Sequence, residues 1–372
     1  MKPISHNFRP LSENESKQLD SLRGFSALAV LVGHTNQIVV APAYDKLSPW
    51  FGLLSQSAVM VFFVMSGFLI AKSIKGNIAR HDGNLLLRKY LSDRVIRIWP
   101  PLLFSVVLMA LLYQLAPAVF PSGSNAFLPA ERNALARQAF IFEPTQMLGA
   151  ALALNDFFTD TPSSNGPLWS LSIEVWYYVL AAIIAWPRGW WKILSVPAAT
   201  ALFYVGWNND QFYYYLPVWW AGYALSELHD RHWIPPAKYL RAATAAFSVA
   251  AAAFAYKSLT VADARSAWHF LVLFNVTTGL CFAAILGLLL SGAIRVPTAF
   301  APAAAYSYTL YIVHMPLLLF AFGIFQTTIQ SSTALSIVAG VSFVPAIVWI
   351  SKAASRIFEN RPLVRSILPV FR

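Results

Sequence analysis

The sequence predicts an all-α polytopic membrane protein with about ten transmembrane helices and both termini in the cytoplasm. The 372 residues are 58% hydrophobic and only 12% charged, which is about half the charge of a soluble domain. The apolar residues fall into blocks of about 17 to 25 residues, the length that crosses a bilayer core. The distribution of Lys and Arg between these blocks predicts their orientation.

Ten such blocks follow one another along the chain, and the fifth to seventh are shorter or interrupted by proline: Leu22–Val40, Gly52–Ala71, Ile98–Val119, Leu168–Trp186, Ile193–Trp207, Phe212–Ser226, Ala242–Tyr256, Trp268–Leu290, Ala303–Phe325 and Leu335–Ile350. With the N-terminus in the cytoplasm, the cytoplasmic segments hold 22 Lys or Arg and the opposite side holds 5. Such a bias sets the orientation of membrane proteins. The net charge of +11 therefore reflects topology, and we expect no binding of nucleic acid.

The blocks predict three regions: a cytoplasmic N-terminal tail over residues 1–18, a single transmembrane domain over 19–352, and a cytoplasmic C-terminal tail over 353–372. Residues 120–167 form the longest predicted loop, on the exterior, where it would cover a substrate entrance. The first 18 residues are polar, so we expect no cleaved signal peptide. The single cysteine, Cys281, lies inside a block, so neither a disulfide nor a thiol metal site is expected, and no metal site is predicted.

The first block combines an arginine at its mouth with a histidine in its interior. Arg23 and His34 are eleven residues apart, which is three helical turns, so both lie on one face about 16 Å apart. His34 falls slightly beyond the midplane on the exterior side. Ionisable residues at such depth are candidates for function.

Two further titratable side chains lie inside predicted spans at similar depth, Glu174 and His314. A lone carboxylate in a membrane needs a partner or must stay protonated. We expect His34 to be that partner, with Glu174 fixing its tautomer and stabilising the imidazolium during proton transfer. For each residue alone, the alternative is a hydrogen-bonded polar contact between helices.

The pair Ser66-Gly67 near the cytoplasmic end of the second block has two interpretations. Small residues let membrane helices pack closely, and this is the stronger interpretation from physics alone. The other places a hydroxyl and an exposed backbone beside a ligand.

Arg94 and Arg97 enter the third block from the cytoplasm and are spaced i, i+3, so they face one way. They have two interpretations: ordinary positive-inside anchors, or a clamp for phosphate, whose oxygens guanidinium groups bind in a bidentate fork. The two interpretations are evenly balanced.

Polar and aromatic residues at two other helix starts are candidates for the lining of a cavity. Trp169 and Ser170 precede Glu174, although Trp169 also fits an ordinary interface aromatic. Ser307, Tyr311 and His314 form one polar stripe on the ninth block, and Tyr308 lies beside it.

Taken in order, these motifs resemble the acyltransferase-3 family of bacterial integral-membrane O-acyltransferases. The most specific is the spacing of Arg23 and His34, supported by segments 62–69, 94–99, 169–174 and 307–314. Members often carry a polar or acidic residue two positions before the Phe-Phe pair, where this chain has Met60. With about 20 residues after the last block, the chain resembles the stand-alone type without a fused hydrolase-like domain.

The resemblance implies transfer of an acyl group, commonly acetyl, from cytoplasmic acyl-CoA to a sugar hydroxyl of a surface or exported glycan. His34 would be the general base, with an acyl-histidine relay as a variant, and Glu174 would orient it. Arg94, Arg97 and Arg23 would hold the donor, and Ser66 and Gly67 would line its path. Trp169, Ser170, Ser307, Tyr308, Tyr311 and His314 would line the cavity.

The implied setting is the bacterial plasma membrane, with multi-pass topology and no permanently bound cofactor. Acyl-CoA is a co-substrate, membrane lipid surrounds the chain, and a glycan or glycolipid and its assembly machinery are the expected partners. A proton-coupled transporter of a small solute or glycan precursor is the main alternative, because such proteins also use intramembrane His and Glu. The chain shows no internal repeat of the kind common in transporters. A third interpretation is a non-catalytic subunit of glycan assembly.

Overall fold

The computed structural model describes residues 8–130, 132–187 and 189–367, and these residues are helical with short connections. Thirteen α-helices follow in order: α1 (Glu13–Thr35), α2 (Ser48–Arg80), α3 (Leu87–Val119), α4 (Pro144–Ala151), α5 (Leu168–Ala185), α6 (Ser195–Val205), α7 (Asp210–Tyr214), α8 (Leu216–Asp230), α9 (Ala237–Thr260), α10 (Ala264–Leu290), α11 (Ser307–Ser331), α12 (Thr333–Phe358) and α13 (Arg361–Ile367). A π-helical turn, Asn36–Val40, follows α1, and 3₁₀ turns occupy Ser163–Asn165, Gly189–Leu194 and Ala301–Ala305. The prediction of an all-α protein is confirmed.

Seven helices in the described part of the chain are long and apolar enough to cross a membrane: α2, α3, α5, α9, α10, α11 and α12. The first, fifth and sixth predicted blocks are not among them. Helices α6 and α8 have 11 and 15 residues, about 17 and 23 Å, which is short of a bilayer core of about 30 Å. Helix α1 is long enough, but its first three turns are charged. The count of ten and the cytoplasmic position of the termini stay predictions.

Local sequence accounts for several helix boundaries. Helix α1 begins with a capping box, in which Ser12 Oγ accepts from Glu15 N at 3.2 Å and Glu15 Oε2 accepts from Ser12 N at 2.7 Å. The start lies within the predicted N-terminal tail. Glu359, which follows α12 within the predicted C-terminal tail, accepts from the backbone N–H and the hydroxyl of Thr309 at 2.9 and 2.6 Å. This carboxylate thus caps the first turn of α11.

The helices divide into two compact units. The first comprises residues 8–23, 59–93 and 173–302, and the second comprises residues 24–58, 94–172 and 303–367. In the first unit α10 packs against α8 and α9. Helices α2 and α8 meet there through their backbones, because a Cβ on Gly67 would overlap the Trp219 carbonyl oxygen and one on Gly222 would overlap that of Val64.

In the second unit α11 packs against α12, and the π-helical turn after His34 contacts both helices. The predicted exterior loop, residues 120–167, is folded against this pair. Gln326 of α11 exchanges hydrogen bonds with the backbone of Leu128, accepting from its N–H at 2.9 Å. The loop therefore reaches the helix that carries His314.

Candidate functional site

The second unit brings together two histidines that are 280 positions apart in the sequence. His34 Nδ1 lies 2.8 Å from His314 Nε2. The ring centroids are 5.0 Å apart and the planes differ by 16°, so the rings meet through their nitrogen edges and are nearly coplanar. The sequence predicts these two side chains at similar depth, and in the structure their contact is direct.

The neighbouring carbonyl determines which nitrogen carries each proton. His314 Nδ1 lies 3.0 Å from the Leu310 carbonyl oxygen, which only accepts, so Nδ1 of neutral His314 is protonated and Nε2 is an acceptor. His34 Nδ1 must then donate to that acceptor. A hydrogen-bond chain thus runs from His34 through His314 to Leu310, and it leaves His34 Nε2 as an unprotonated base.

The two rings differ in accessibility. His314 is fully buried, whereas His34 keeps part of its surface accessible. The π-helical turn begins two residues after His34, and single π turns in helices are frequent at functional sites. His34 is therefore the more accessible member of the pair.

A second set of polar groups surrounds a backbone carbonyl of α11 that Pro316 leaves without its helical donor. Proline lacks the N–H that would bond the carbonyl four residues earlier, which is that of Ile312. Ser105 Oγ donates to this carbonyl at 2.7 Å and Asn165 Nδ2 at 2.8 Å. Both donors are fully buried. They satisfy the freed carbonyl, and Asn165 fastens the end of the predicted exterior loop to α11 beside the histidine pair.

The predicted polar stripe on α11 is present, and its members have different partners. Tyr311 Oη lies 2.6 Å from Ser170 Oγ and donates to the Pro167 carbonyl at 3.2 Å. The ring of Tyr311 is 6.0 Å from that of His314. Ser307 bonds only its own preceding turn, at the Ala304 carbonyl.

Tyr308, at the start of α11, connects this helix to the predicted phosphate clamp. Its hydroxyl donates to the Ile98 carbonyl at 3.1 Å, next to Arg97 on α3. Arg94 and Arg97 are half-buried, and Arg97 makes no side-chain hydrogen bond with the part of the chain that the structure describes. From Tyr308 to His314 is six residues, about 9 Å along the helix. Helix α11 thus connects the backbone beside the arginine pair to the histidine pair.

Glu174 belongs to a polar cluster in the first unit. Ser66 Oγ donates to its carboxylate at 2.6 Å, and the Tyr178 hydroxyl donates to the same oxygen. The indole N–H of Trp219 donates to Ser66 Oγ at 3.1 Å. The carboxylate is therefore held by two hydroxyls, one of them on the next turn of its own helix.

The remaining predicted residues have these positions. Gly67 allows the backbone contact with Trp219 described above, so its interpretation as a packing residue is confirmed. Arg23 pairs with Asp20 one turn earlier, at 3.0 Å. Trp169 lies in the first turn of α5 and is half-buried. Roles of Arg23, Ser66 and Gly67 toward a donor, of Trp169 in a cavity, and of Glu174 toward His34 stay predictions.

Comparison with known proteins identifies the family. A family model described as an acyltransferase domain, the acyltransferase-3 model, matches residues 16–354. The chain belongs to the acyltransferase-3 family. It is also similar to the acyltransferase MdmB of Streptomyces mycarofaciens, with 27% identity over 241 residues that cover 60% of this chain. The match spans 54% of that relative's length. No solved structure matches the chain.

Sequence reasoning missed one charged cluster of this acyltransferase-3 chain. Lys72, counted only as a topological charge, is buried in the first unit and forms an ion pair with fully buried Asp230. Its ammonium also lies 2.8 Å from His229 Nδ1, and His229 Nε2 lies 3.3 Å from Glu15. The Arg9 N–H donates to Asp230 at 3.1 Å. The cluster ties the segment before α1 to α2 and α8.

Sequence reasoning also left Asn165 without a role and counted Arg137 only as an exterior charge. Pro316 signals that the Ile312 carbonyl needs a donor from outside the helix, but not which residue supplies it. The described residues contain no group of three His, Cys, Asp or Glu side chains arranged to hold a metal ion.

Proposed function

We propose that this acyltransferase-3 chain is a multi-pass O-acyltransferase of the bacterial plasma membrane. It transfers an acetyl group from cytoplasmic acetyl-CoA to a sugar hydroxyl of a surface or exported glycan. The observation that carries the proposal is the hydrogen-bond chain from His34 to the Leu310 carbonyl, because it presents an unprotonated imidazole nitrogen at a partly accessible intramembrane position.

The arginines of α3 support a cytoplasmic acyl-CoA donor. Arg94 and Arg97 share one helix face, and the guanidinium of Arg97 has no hydrogen-bond partner among the described residues, so it remains available for phosphate oxygens. The pantetheine arm and the thioester would follow α11 from Tyr308 toward His314. Arg23 would guide the donor at the mouth of this path, and Glu174 would act on His34 as predicted from the sequence.

The reaction requires one proton transfer in each direction at His34. Nε2 takes the proton of the acceptor hydroxyl while the hydroxyl oxygen attacks the thioester carbonyl carbon. The carbon–sulfur bond then breaks, and the imidazolium returns the proton to the departing thiolate. The products are an ester and free CoA thiol. His314 accepts a hydrogen bond from His34 throughout and stabilises the imidazolium, which is the usual function of a partner of a general base.

The proposal is tested by His34→Ala, with His269→Ala as the matched control because His269 is exposed and bonds only its own helix. Cells producing each variant are compared by mass spectrometry of lipids, surface glycans and secreted compounds. We expect the wild type and the control to yield a product heavier by one acetyl group, and H34A to lose it by about 10²- to 10⁴-fold.

The protein level on an immunoblot must be equal for all three forms. An acetylated product that persists in H34A contradicts the general base. Unchanged products together with an altered proton or solute flux would instead support the transporter.

A further inference from the structure

The predicted exterior loop holds one arginine in a fixed orientation. Arg137 Nε donates to the Ser163 carbonyl at 2.8 Å, and Nη1 donates to the Ala136 carbonyl at 2.7 Å. Nη2 lies so close to the backbone of Gly166 that a Cβ there would be 3.2 Å away. Two backbone carbonyls thus orient the guanidinium, and its third nitrogen lies against a glycine.

The segment that holds Arg137 is fastened to the histidine pair from both sides. Asn165 bonds the Ile312 carbonyl, two residues before His314, and Tyr311 bonds the Pro167 carbonyl. On the other side, Asn133 Nδ2 donates to the Ala41 carbonyl at 2.9 Å, directly after the π-helical turn that follows His34. These contacts connect the surroundings of Arg137 to α11 and to the chain that follows His34.

The charge of Arg137 acts on this site. Burial lowers the pKa of its guanidinium, but an arginine remains charged at neutral pH, and this charge interacts electrostatically with His34. No described carboxylate pairs with it, and its Nη2 has no hydrogen-bond partner among the described residues. A half-buried cation with free N–H groups is a receptor for an anion or for developing negative charge.

We infer that Arg137 stabilises the oxyanion of the acyl-transfer reaction, an inference that rests on the proposed function. When the acceptor oxygen attacks the thioester, the carbonyl π electrons move onto the carbonyl oxygen. The free N–H groups of Arg137 donate to this oxygen until the carbonyl re-forms and the thiolate leaves. Arg137 is then a catalytic residue, because it touches a reacting atom.

The test measures initial rates in membranes from the source organism. Radiolabelled acetyl-CoA is the donor, the endogenous material of the membranes is the acceptor, and incorporated label is counted per amount of acyltransferase on an immunoblot. We expect Arg137→Gln to lower kcat by about 10²- to 10³-fold, the usual effect of losing an oxyanion donor, with an unchanged KM for acetyl-CoA. Arg137→Lys keeps the charge and should lose less. Arg132→Gln is the matched control, since Arg132 is exposed in the same loop and bonds only Thr333.

A purely structural role of Arg137 is distinguished by Ser164→Ala. Ser164 Oγ fastens the loop by bonding both the N–H and the carbonyl of Ile141 at 2.7 Å, and the alanine variant keeps the Ser163 carbonyl that accepts from Arg137 Nε. If S164A lowers kcat as much as R137Q, or if R137Q keeps wild-type kcat, the inference is overturned and the proposed function stands. If the wild type transfers no label above H34A, the proposed function falls, and the inference falls with it.

Discussion

The hydrogen bond from His34 to His314 predicts an asymmetric response to two conservative replacements. The side-chain amide of Gln occupies the region of an imidazole Nε2, whereas that of Asn reaches only as far as Nδ1. His314→Gln therefore keeps an oxygen that accepts from His34. His314→Asn keeps only a donor toward the Leu310 carbonyl and leaves the His34 N–H without its acceptor.

The structure allows the size of the effect to be worked out. The bond is 2.8 Å long and its acceptor ring is fully buried, and it becomes charge-assisted when His34 takes a proton. Such a bond contributes about 1.5–3 kcal/mol. Since about 1.4 kcal/mol corresponds to a tenfold rate, H314N should lower kcat about 12- to 140-fold, and H314Q should lose clearly less.

The assay is incorporation of label from acetyl-CoA into membranes, with thermal unfolding in detergent as the control for folding. Both variants remove one buried ring, so their unfolding temperatures should fall by similar amounts. Equal kcat values for H314N and H314Q at equal stability would refute the role of His314 as acceptor. So would an Asn variant as active as the wild type.

Three further predictions concern stability, measured as thermal unfolding in detergent. Gly67→Ala should destabilise by about 1–3 kcal/mol because its methyl group meets a backbone carbonyl of α8, whereas Gly52→Ala on the same helix meets open space and should not; equal effects would contradict the packing role. Burial and two neighbouring cations lower the pKa of His229 in the folded protein, so below about pH 6.5 the unfolded chain binds more protons and the stability should decrease as the pH decreases. His229→Asn should flatten that dependence, and a variant as pH-sensitive as the wild type would contradict it. Asn165→Ala should destabilise by about 1–3 kcal/mol, and by less in a Pro316→Ala background, which restores the missing backbone donor; additive losses would argue against the shared carbonyl.

Much of the site could be anticipated from residue type and depth. A histidine inside a membrane-length apolar segment is unusual enough to be selected by itself, and two at similar depth predicted a common site. The contact between His34 and His314 could not be predicted, because it depends on the packing of α1 against α11 across most of the chain. The tautomer depends further on the Leu310 carbonyl, which is a backbone group and carries no sequence signal.

Glu174 has one hydrogen-bond partner that helical spacing predicts and one that it does not. Its partner Tyr178 is four residues away on the same helix and follows from helical spacing. Ser66 is more than 100 positions away in the sequence, so its contact with Glu174 could not be predicted. This contact depends on the close packing of α2, which Gly67 allows. Spans were harder to count, because α6 and α8 are apolar but too short, and composition alone does not show where a helix ends.

The hydrogen-bond chain that begins at His34 ends on the Leu310 carbonyl, and this end limits the movement of protons. A carbonyl oxygen of the backbone accepts a hydrogen bond but does not take up a proton at physiological pH. A proton that enters at His34 Nε2 therefore has no exit beyond His314, and it must leave through the nitrogen by which it came. Along this hydrogen-bond chain, the described groups therefore provide no path for proton translocation, which agrees with the proposed acyl transfer and not with a transporter.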